Sequence, residues 1–350
     1  MTSPRPALTS QSIESEDAFE AIERYFENGW TDGLPVVPPR PEVVRRFIAT
    51  VGRDPSDVLI NISETNMHCT VEHAATNAVM AGCKPEYFPV VVAAIEGWAD
   101  RRWGPTAFYV GNASTGGAGQ MAIVSGPIRH ELGFNSGINV FGPGPAFRAN
   151  ATVGRALRLI MINALGMVPG VFDMAIQGHP GKYTYCIAED EESSPWEPLS
   201  IERGFAPGTS TVTVVGARGP IPVDERSHDD AEGILDTIAQ VMPFARGTGP
   251  FVLVMGAEHA DIIGRKNGFS KQHVKEYLFE RTRRLATPGR RARNVRTVDG
   301  QDYIYLTRVP EDILVVVAGG GNGGLTAIIP TWVYAVPPGD FVTREIRRVQ

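Results

Sequence analysis

Apolar residues recur at helical spacing in several stretches of the chain. Phe19, Ile22 and Phe26 predict an amphipathic helix from about Ser15 to Glu27, stopped by Asn28-Gly29. A second helix is expected after Pro41. The stretch from Thr70 to Asp100 is helical in pattern and broken by Gly82-Cys83-Lys84-Pro85. Its second piece, Pro89 to Ala99, is apolar nearly all round, which predicts burial. Residues 150–165 form another helix, with Val153, Ala156, Leu157, Ile160, Met161 and Ala164 on its apolar face. Continuous apolar runs predict buried strands at Ala107–Val110, Met121–Val124, Thr211–Val215, Phe251–Met255 and Ile313–Val317, with helices at 228–242 and 270–285 among the later ones. Strands alternating with helices point to an α/β fold, a mostly parallel sheet with flanking helices and two lobes with glycine-rich loops at the cleft. Ligands in such sheets gather beyond the carboxyl ends of the strands, here the loops at 216–222, 256–260 and 318–324.

The expected organisation is a disordered tail over 1–14, an N-terminal α/β lobe over 15–200 with the cysteine-containing helices, and a C-terminal open-sheet lobe over 201–350. The segment Trp30–Pro39 is extended, because its prolines remove donors and restrict their neighbours. Two stretches echo each other, Phe108–Gly119 and Val315–Gly324, each an apolar strand running into a glycine-rich loop.

Charge and composition narrow the function. With 33 Lys and Arg against 39 Asp and Glu, the 350-residue chain carries a formal charge of −6, which disfavours a phosphate-backbone partner. It has no apolar run of membrane-spanning length and no apolar leader, and its three cysteines are an odd number. A cytoplasmic protein, binding neither nucleic acid nor membrane and forming a homo-oligomer, is the expectation. The 38 Gly and 27 Pro fall in short bursts at the ends of apolar runs, as a loop-built site on a rigid scaffold requires.

Two glycine loops, 111–119 and 319–324, lack the Gly-Lys-Ser/Thr of a phosphate loop, but glycine lets successive N–H groups converge on an anion. Asn112, Ser114, Thr115, Gly116 and Gly117 in the first, and Gly320 and Asn322 in the second, are candidate substrate contacts. Arg148 and Asn150, at the start of the helix after a Gly-Pro loop, are two more, with Arg155 and Arg158 near the same face. The alternative is tight turns and a solvated basic stripe.

All three cysteines have polar or aromatic neighbours in sequence. Cys186 follows His179, Lys182, Tyr183 and Tyr185, a set that would suit a thiolate nucleophile or redox centre with a cation to lower its pKa and a phenol to pass protons. Cys69, His73, Cys83 and Cys186 are alternatively ligands, for zinc or for a [4Fe–4S] cluster with an open iron. Glu258-His259 and His228-Asp229-Asp230 fall at strand-to-helix loops and suit acid–base work or helix capping.

The stretches Trp30–Pro39, Ala81–Pro89, Gly126–Arg158, His179–Phe205 and Glu258–Arg281 resemble a family of mostly uncharacterised bacterial proteins associated with small proteins bearing a reactive cysteine or selenocysteine motif of the UGSC type. The resemblance spreads over most of the chain and implies thiol-linked chemistry and a small thiol or selenol partner protein. It carries no substrate. The loop Gly319–Gly324 departs from the family pattern, where a basic residue and a histidine are expected. Three functions stand open: a cysteine-dependent lyase or reductase acting at a carbon–heteroatom bond of a small anionic metabolite, a metal-dependent lyase or hydrolase, and a non-catalytic subunit binding a thiol partner.

Overall fold

Asp17 opens the first helix by accepting from the N–H groups of Phe19 and Glu20, and α1 (Ala18–Glu27) then runs to Asn28. The computed structural model describes residues 7–63, 65–100, 112–245, 249–287, 294–332 and 341–349. Helix α2 (Pro41–Ala49) follows its proline as expected. A hairpin of β1 (Val58–Ile62) and β2 (Met67–Thr70) leads to α3 (Val71–Met80) and α4 (Phe88–Trp98). Every residue of α4 except Glu96 is buried, in keeping with its apolar circumference. The strand expected at Ala107–Val110 lies outside the described residues.

Next come β3 (Gly119–Ser125), α5 (Arg148–Asn163), β4 (Cys186–Ala188), β5 (Thr211–Ala217) and β6 (Ile221–Asp224). They are followed by α6 (Ala231–Ala245), β7 (Phe251–Met255) and α7 (Lys271–Arg281). A small sheet of β8 (Arg284–Leu285), β9 (Val295–Val298) and β10 (Gln301–Ile304) precedes β11 (Ile313–Val317), β12 (Leu325–Pro330) and β13 (Val342–Glu345). Among the described residues no helix is long and apolar enough to cross a membrane.

Two four-stranded sheets carry the fold, ordered β13-β5-β3-β4 and β11-β7-β12-β6. Only β3 with β4 and β11 with β7 run parallel; the other junctions are antiparallel. The expected mostly parallel sheet is therefore corrected to mainly antiparallel sheets in an α/β fold. The reason is burial on both faces. Met121, Ile123, Ile187, Val215, Val252, Val254, Leu314, Val316 and Ile329 form a core between the two sheets. On the outer face of the first sheet, Ala122, Val124, Val212 and Val214 pack with residues of α3, α4 and α5. On that of the second, Leu253, Met255, Val315 and Val317 pack with α6 and α7. A strand covered on both sides reads as an unbroken apolar run whichever way its neighbour points.

The two sheets repeat one pairing topology. Strands β3, β4 and β5 repeat the pairing pattern of β7, β11 and β12, with α5 and α7 between the corresponding first two strands. Each half then hands its last strand to the other sheet: β6 pairs with β12, and β13 pairs with β5. The crossover is reciprocal at Ala217 and Thr331, which bridge. Beside them Arg218 N donates to Pro330 O at 2.9 Å and Trp332 N donates to Gly216 O at 2.6 Å. The first strand of the sequence echo lies outside the described residues; within the described pairing the counterpart of β11 is β4. Sheet membership also ignores a division at residue 200, because β5 and β13 complete the sheet built on β3. Nor do the three loops gather at one edge. The turn after β5 lies beside Trp332, whereas Gly256 and Ala257 bond to Leu325 and Gly320 at the opposite ends of β7 and β12.

Two local features position the site. Helix α5 lies so close to the segment leading into β4 that a Cβ on Gly154 would stand 2.4 Å from Thr184 Oγ1 and 2.6 Å from Tyr185 N. In the stretch expected to be a disordered tail, Thr9 and Ser10 are tied down, donating to the Glu72 carboxylate at 2.9–3.1 Å.

Candidate functional site

Strand alternation decides the fate of Cys186. Tyr185 and Ile187 face the core between the sheets, so Cys186 faces the helices, packed in the outer core with Cys83. Burial first, and the Cys83 thiol second, raise its pKa far above the ordinary thiol range. Neither intended tuner is free to act on it. Lys182 Nζ holds both oxygens of Asp173 at 2.5 and 2.7 Å. His179 uses both ring nitrogens on backbone, with Nε2 3.0 Å from Ala217 O and Nδ1 accepting from Gly181 N at 3.2 Å. Tyr185 donates its hydroxyl to Arg218 O at 3.0 Å, and Tyr183 is half exposed.

The metal set does not converge either. Cys69 sits on β2, Cys83 in the turn after α3 and Cys186 on β4, all as free buried thiols. Helix α3 begins only at Val71, so Cys69 and His73 share no helix face; His73 Nδ1 accepts from Thr70 N in a capping box. Burial pushes the Cys69 and Cys83 thiols up to about 12. Among the described residues no group of three or more His, Cys, Asp or Glu side chains is placed to hold a metal ion. As placed, these residues fit neither zinc nor a [4Fe–4S] cluster. In the native protein all three thiols are expected to resist a soluble disulfide reagent at neutral pH and to titrate only on unfolding. A thiol that reacts within minutes in the folded state would contradict this.

The second glycine loop already has its anion. Glu258 accepts from Gly323 N at 2.6 Å and Gly324 N at 2.8 Å, which lowers its pKa. The nest read from the glycines is therefore real, but a carboxylate of the chain itself fills it, and Gly320 and Asn322 line no free anion site. His259 is buried and spends its ring on Thr326 Oγ1 and Glu225 O. In the pocket of about 190 Å³ beside it, Glu225, His228 and Glu258 are already bonded to the protein.

The basic stripe of α5 divides into separate tasks. Arg148 donates to Gly82 O and Cys83 O, closing the turn between α3 and α4. Asn150 is buried and spans Asn135 and Cys186 O. Arg155 pins the extended segment through Asp32, Leu34 O and Pro35 O. Arg148 and Asn150 are thus structural. Arg158 alone turns to the first glycine loop, where it meets Asp173 at 3.3 Å.

There a polar cleft forms. Gln120 on β3, Arg158 and Met161 on α5, and Lys182 line it together with Ala118, Gly119, Gly154 and Gly181; its volume is about 10 Å³, room for roughly one water. The loop packs around it: Gly116 lies against the Trp332 ring, and Gly117 against Gly178. Ser114 Oγ accepts from Gly116 N, and Thr115 O accepts from Ile176 N. Asn112 Oδ1 accepts from Gln120 Nε2 at 2.6 Å. The Arg218 guanidinium lies 4.5 Å from the Trp332 ring centroid. Burial lowers the pKa of His179 against the bond to Ala217 O, with Lys182 and Arg218 acting in the same direction as burial. Burial also lowers the pKa of Lys182, against the pull of Asp173.

Of the residues singled out in the sequence, Lys182 lines the cleft and His179 and Asn112 to Gly117 lie beside it; Gln120, Asp173, Arg218 and Trp332 were not among them. Two of these left a signal. Gln120 is a polar residue inside a fully buried strand, and Asp173 is a lone acid in the apolar run from Leu165 to Ile176.

A second buried carboxylate lies across the molecule. Glu189, at the end of β4, accepts from Ser125 Oγ at 2.7 Å and from Leu199 N, and burial pushes it up to about 7 although nearby Lys271 opposes the shift. The folded state then binds this proton more tightly than the unfolded chain, whose carboxylate titrates near 4.5. Its contribution is full below pH 4.5 and is lost as pH rises to about 7, on the order of 3 kcal/mol in all. Glu189→Gln is expected to remove that decline when melting temperatures of variant and wild type are compared from pH 4.5 to 8. Parallel profiles would contradict it. Compared with protein-family models, curated proteins and solved structures, the chain matches none, and the reading of its site rests on this geometry.

Proposed function

We propose that the chain is an enzyme acting on a small anionic metabolite, which binds at the cleft formed by Gln120, Arg158 and Lys182. The observation that carries this reading is the charge balance: among the described residues Arg158 and Lys182 line the cleft, Arg218 stands near His179 beside it, and Asp173 is the carboxylate paired with the first two. Cations left in partial excess and shielded from water attract an anion strongly. Lys182 is the proton carrier in this reading, since its amine has a lowered pKa and changes charge more readily than an exposed lysine. A carbon–heteroatom lyase needs such a group and no thiolate, so it is favoured over a reductase working through Cys186. The cleft as it stands has room for about one water, so the anion enters as Lys182 turns from Asp173 toward it.

Titration calorimetry with phosphate, sulfate and short carboxylates tests the reading. The wild-type chain is expected to bind one anion, and Lys182→Met to bind it at least about 10-fold more weakly, the loss of one charge-assisted hydrogen bond. Equal affinities would refute it. A second reading, a binding subunit for a small thiol or selenol partner, is supported by exposed Val168, Val171, Met174 and Ile176, which flank Asp173 beside the cleft. It requires partner binding to survive replacement of all three cysteines by serine.

A further inference from the structure

Helix α1 is held to the body by one edge. Ala21 is its one buried residue, and Tyr25 packs on the core shared with α3, α4 and α5. Phe19 and Phe26, seven residues apart on one face, are left 80% and 36% exposed. Glu20, Glu23 and Glu27 follow the same spacing along the neighbouring face, and the stretch 14–27 holds six acids against one base, Arg24. Glu20 pairs with Arg24, but among the described residues Glu23 and Glu27 meet no cation.

The sheet β8-β10-β9 carries the opposite charge. It packs on the other half of the molecule, through Tyr303 on the core of α6 and α7. The stretch 281–298 holds seven arginines and no acid, and Arg281, Arg283, Arg284 and Arg296 are among the described residues. Arg281 and Arg283 pair with Asp236 and Glu280, whereas Arg284 and Arg296 meet no carboxylate among the described residues. Ile304 lies between Arg284 and Val295 across the strands, so an exposed guanidinium and a valine 45% exposed share one face. The acid on that face, Asp302, is engaged by Thr297 Oγ1. Each surface thus joins uncovered apolar side chains to charge of one sign, and the signs are opposite. No ion pair or hydrogen bond among the described residues joins the two within a chain. A polyanion is the poorer occupant of the basic sheet. Without the seven arginines the chain has 26 Lys and Arg against 39 Asp and Glu, a field that repels it.

We propose that the two surfaces bind each other between copies of the chain. Helix α1 of one copy lies on the β8-β10-β9 sheet of the next, with Phe19 on Val295 and with Glu23 and Glu27 toward Arg284. Sedimentation velocity of the full chain tests this. The wild type is expected to sediment above its monomer mass of 37.9 kDa at low salt, and high salt to weaken the association. Three variants are each expected to weaken it at least about 10-fold: Phe19→Ser, which removes the apolar contact, and Glu23→Lys with Glu27→Lys, or Arg284→Glu, which set like charges face to face. All four residues are exposed, so the fold of the body is expected to persist. An equimolar mixture of the two charge variants is expected to associate as the wild type does, because the reversed charges complement each other. A wild-type chain that stays monomeric overturns the proposal, including one that instead binds single-stranded RNA through Arg284. Association untouched by the three variants, or a mixture that associates no better than its components, also overturns it.

Discussion

A chain lacking residues 341–350 is expected to lose the cooperative fold of the sheet built on β3. The last strand is the partner of β5, with Val342 opposite Val214 and Glu345 opposite Thr211. Phe341, Val342 and Ile346 are buried, and Val342 belongs to the core shared with α3, α4 and α5. The strand is also tied by polar contacts: Arg344 to Asp100 at 2.5 Å, Thr343 with Thr213 at 2.9 Å, and Val349 N to Thr50 O at 3.0 Å. Its removal opens the β5 edge and exposes Val212 and Val214, several buried apolar side chains worth roughly 1.5–3 kcal/mol each. The total is of the same order as the whole margin by which ordinary domains are stable, about 5–15 kcal/mol. Urea unfolding of the truncated chain is expected to show no cooperative transition for this half. A transition with an unchanged midpoint would show that the exchanged strand is dispensable.

The second large effect is expected from Asp173→Ala. Asp173 is buried and is the counter-ion of both Lys182 and Arg158, whose side chains are only 13% and 11% exposed. Removing it leaves two nearly buried cations facing each other without a carboxylate, a loss of about 3–5 kcal/mol. Adding Lys182→Met to Asp173→Ala relieves half of the conflict, so the double variant is expected to be more stable than Asp173→Ala alone. A single-variant loss below about 1 kcal/mol in urea unfolding would mean that the cluster is solvated and weak. Any anion that binds the cleft is expected to raise the melting temperature of Asp173→Ala more than that of the wild type, because it replaces the missing charge.

Helical parts of the fold were legible from the chain because their signals are local. Asn28-Gly29, Pro41, Gly82-Cys83-Lys84-Pro85 and the 3.6-residue recurrence of Val153, Ala156, Leu157 and Ile160 sit within a few residues of the elements they bound. Strand direction was not legible. Phe251–Met255 and Ile313–Val317 are buried on both faces and do run parallel, yet Thr211–Ala217 has the same apolar look and runs antiparallel to β3. Nothing in such a run records its neighbour.

The site was partly legible for a similar reason. His179 and Lys182 stood out as sequence neighbours of Cys186; Lys182 lines the cleft and His179 packs against Gly119 and Gly181 beside it. Their assignment to Cys186 failed because proximity in sequence was taken for proximity in space. Alternation along β4 turns that thiol to the helices and leaves Lys182 to Asp173, nine residues earlier. The glycines of 319–324 announced a nest but not its occupant, since Glu258 comes from a different strand end.

The most direct test is a crystal of the full chain soaked in selenate, with the anion located by its anomalous scattering. A selenium peak within hydrogen-bond reach of Arg158 and Lys182, on the Gln120 side of Asp173, is the expected result. A peak at any other position, with the Lys182–Asp173 pair undisturbed, would contradict the assignment of this cleft as the functional site.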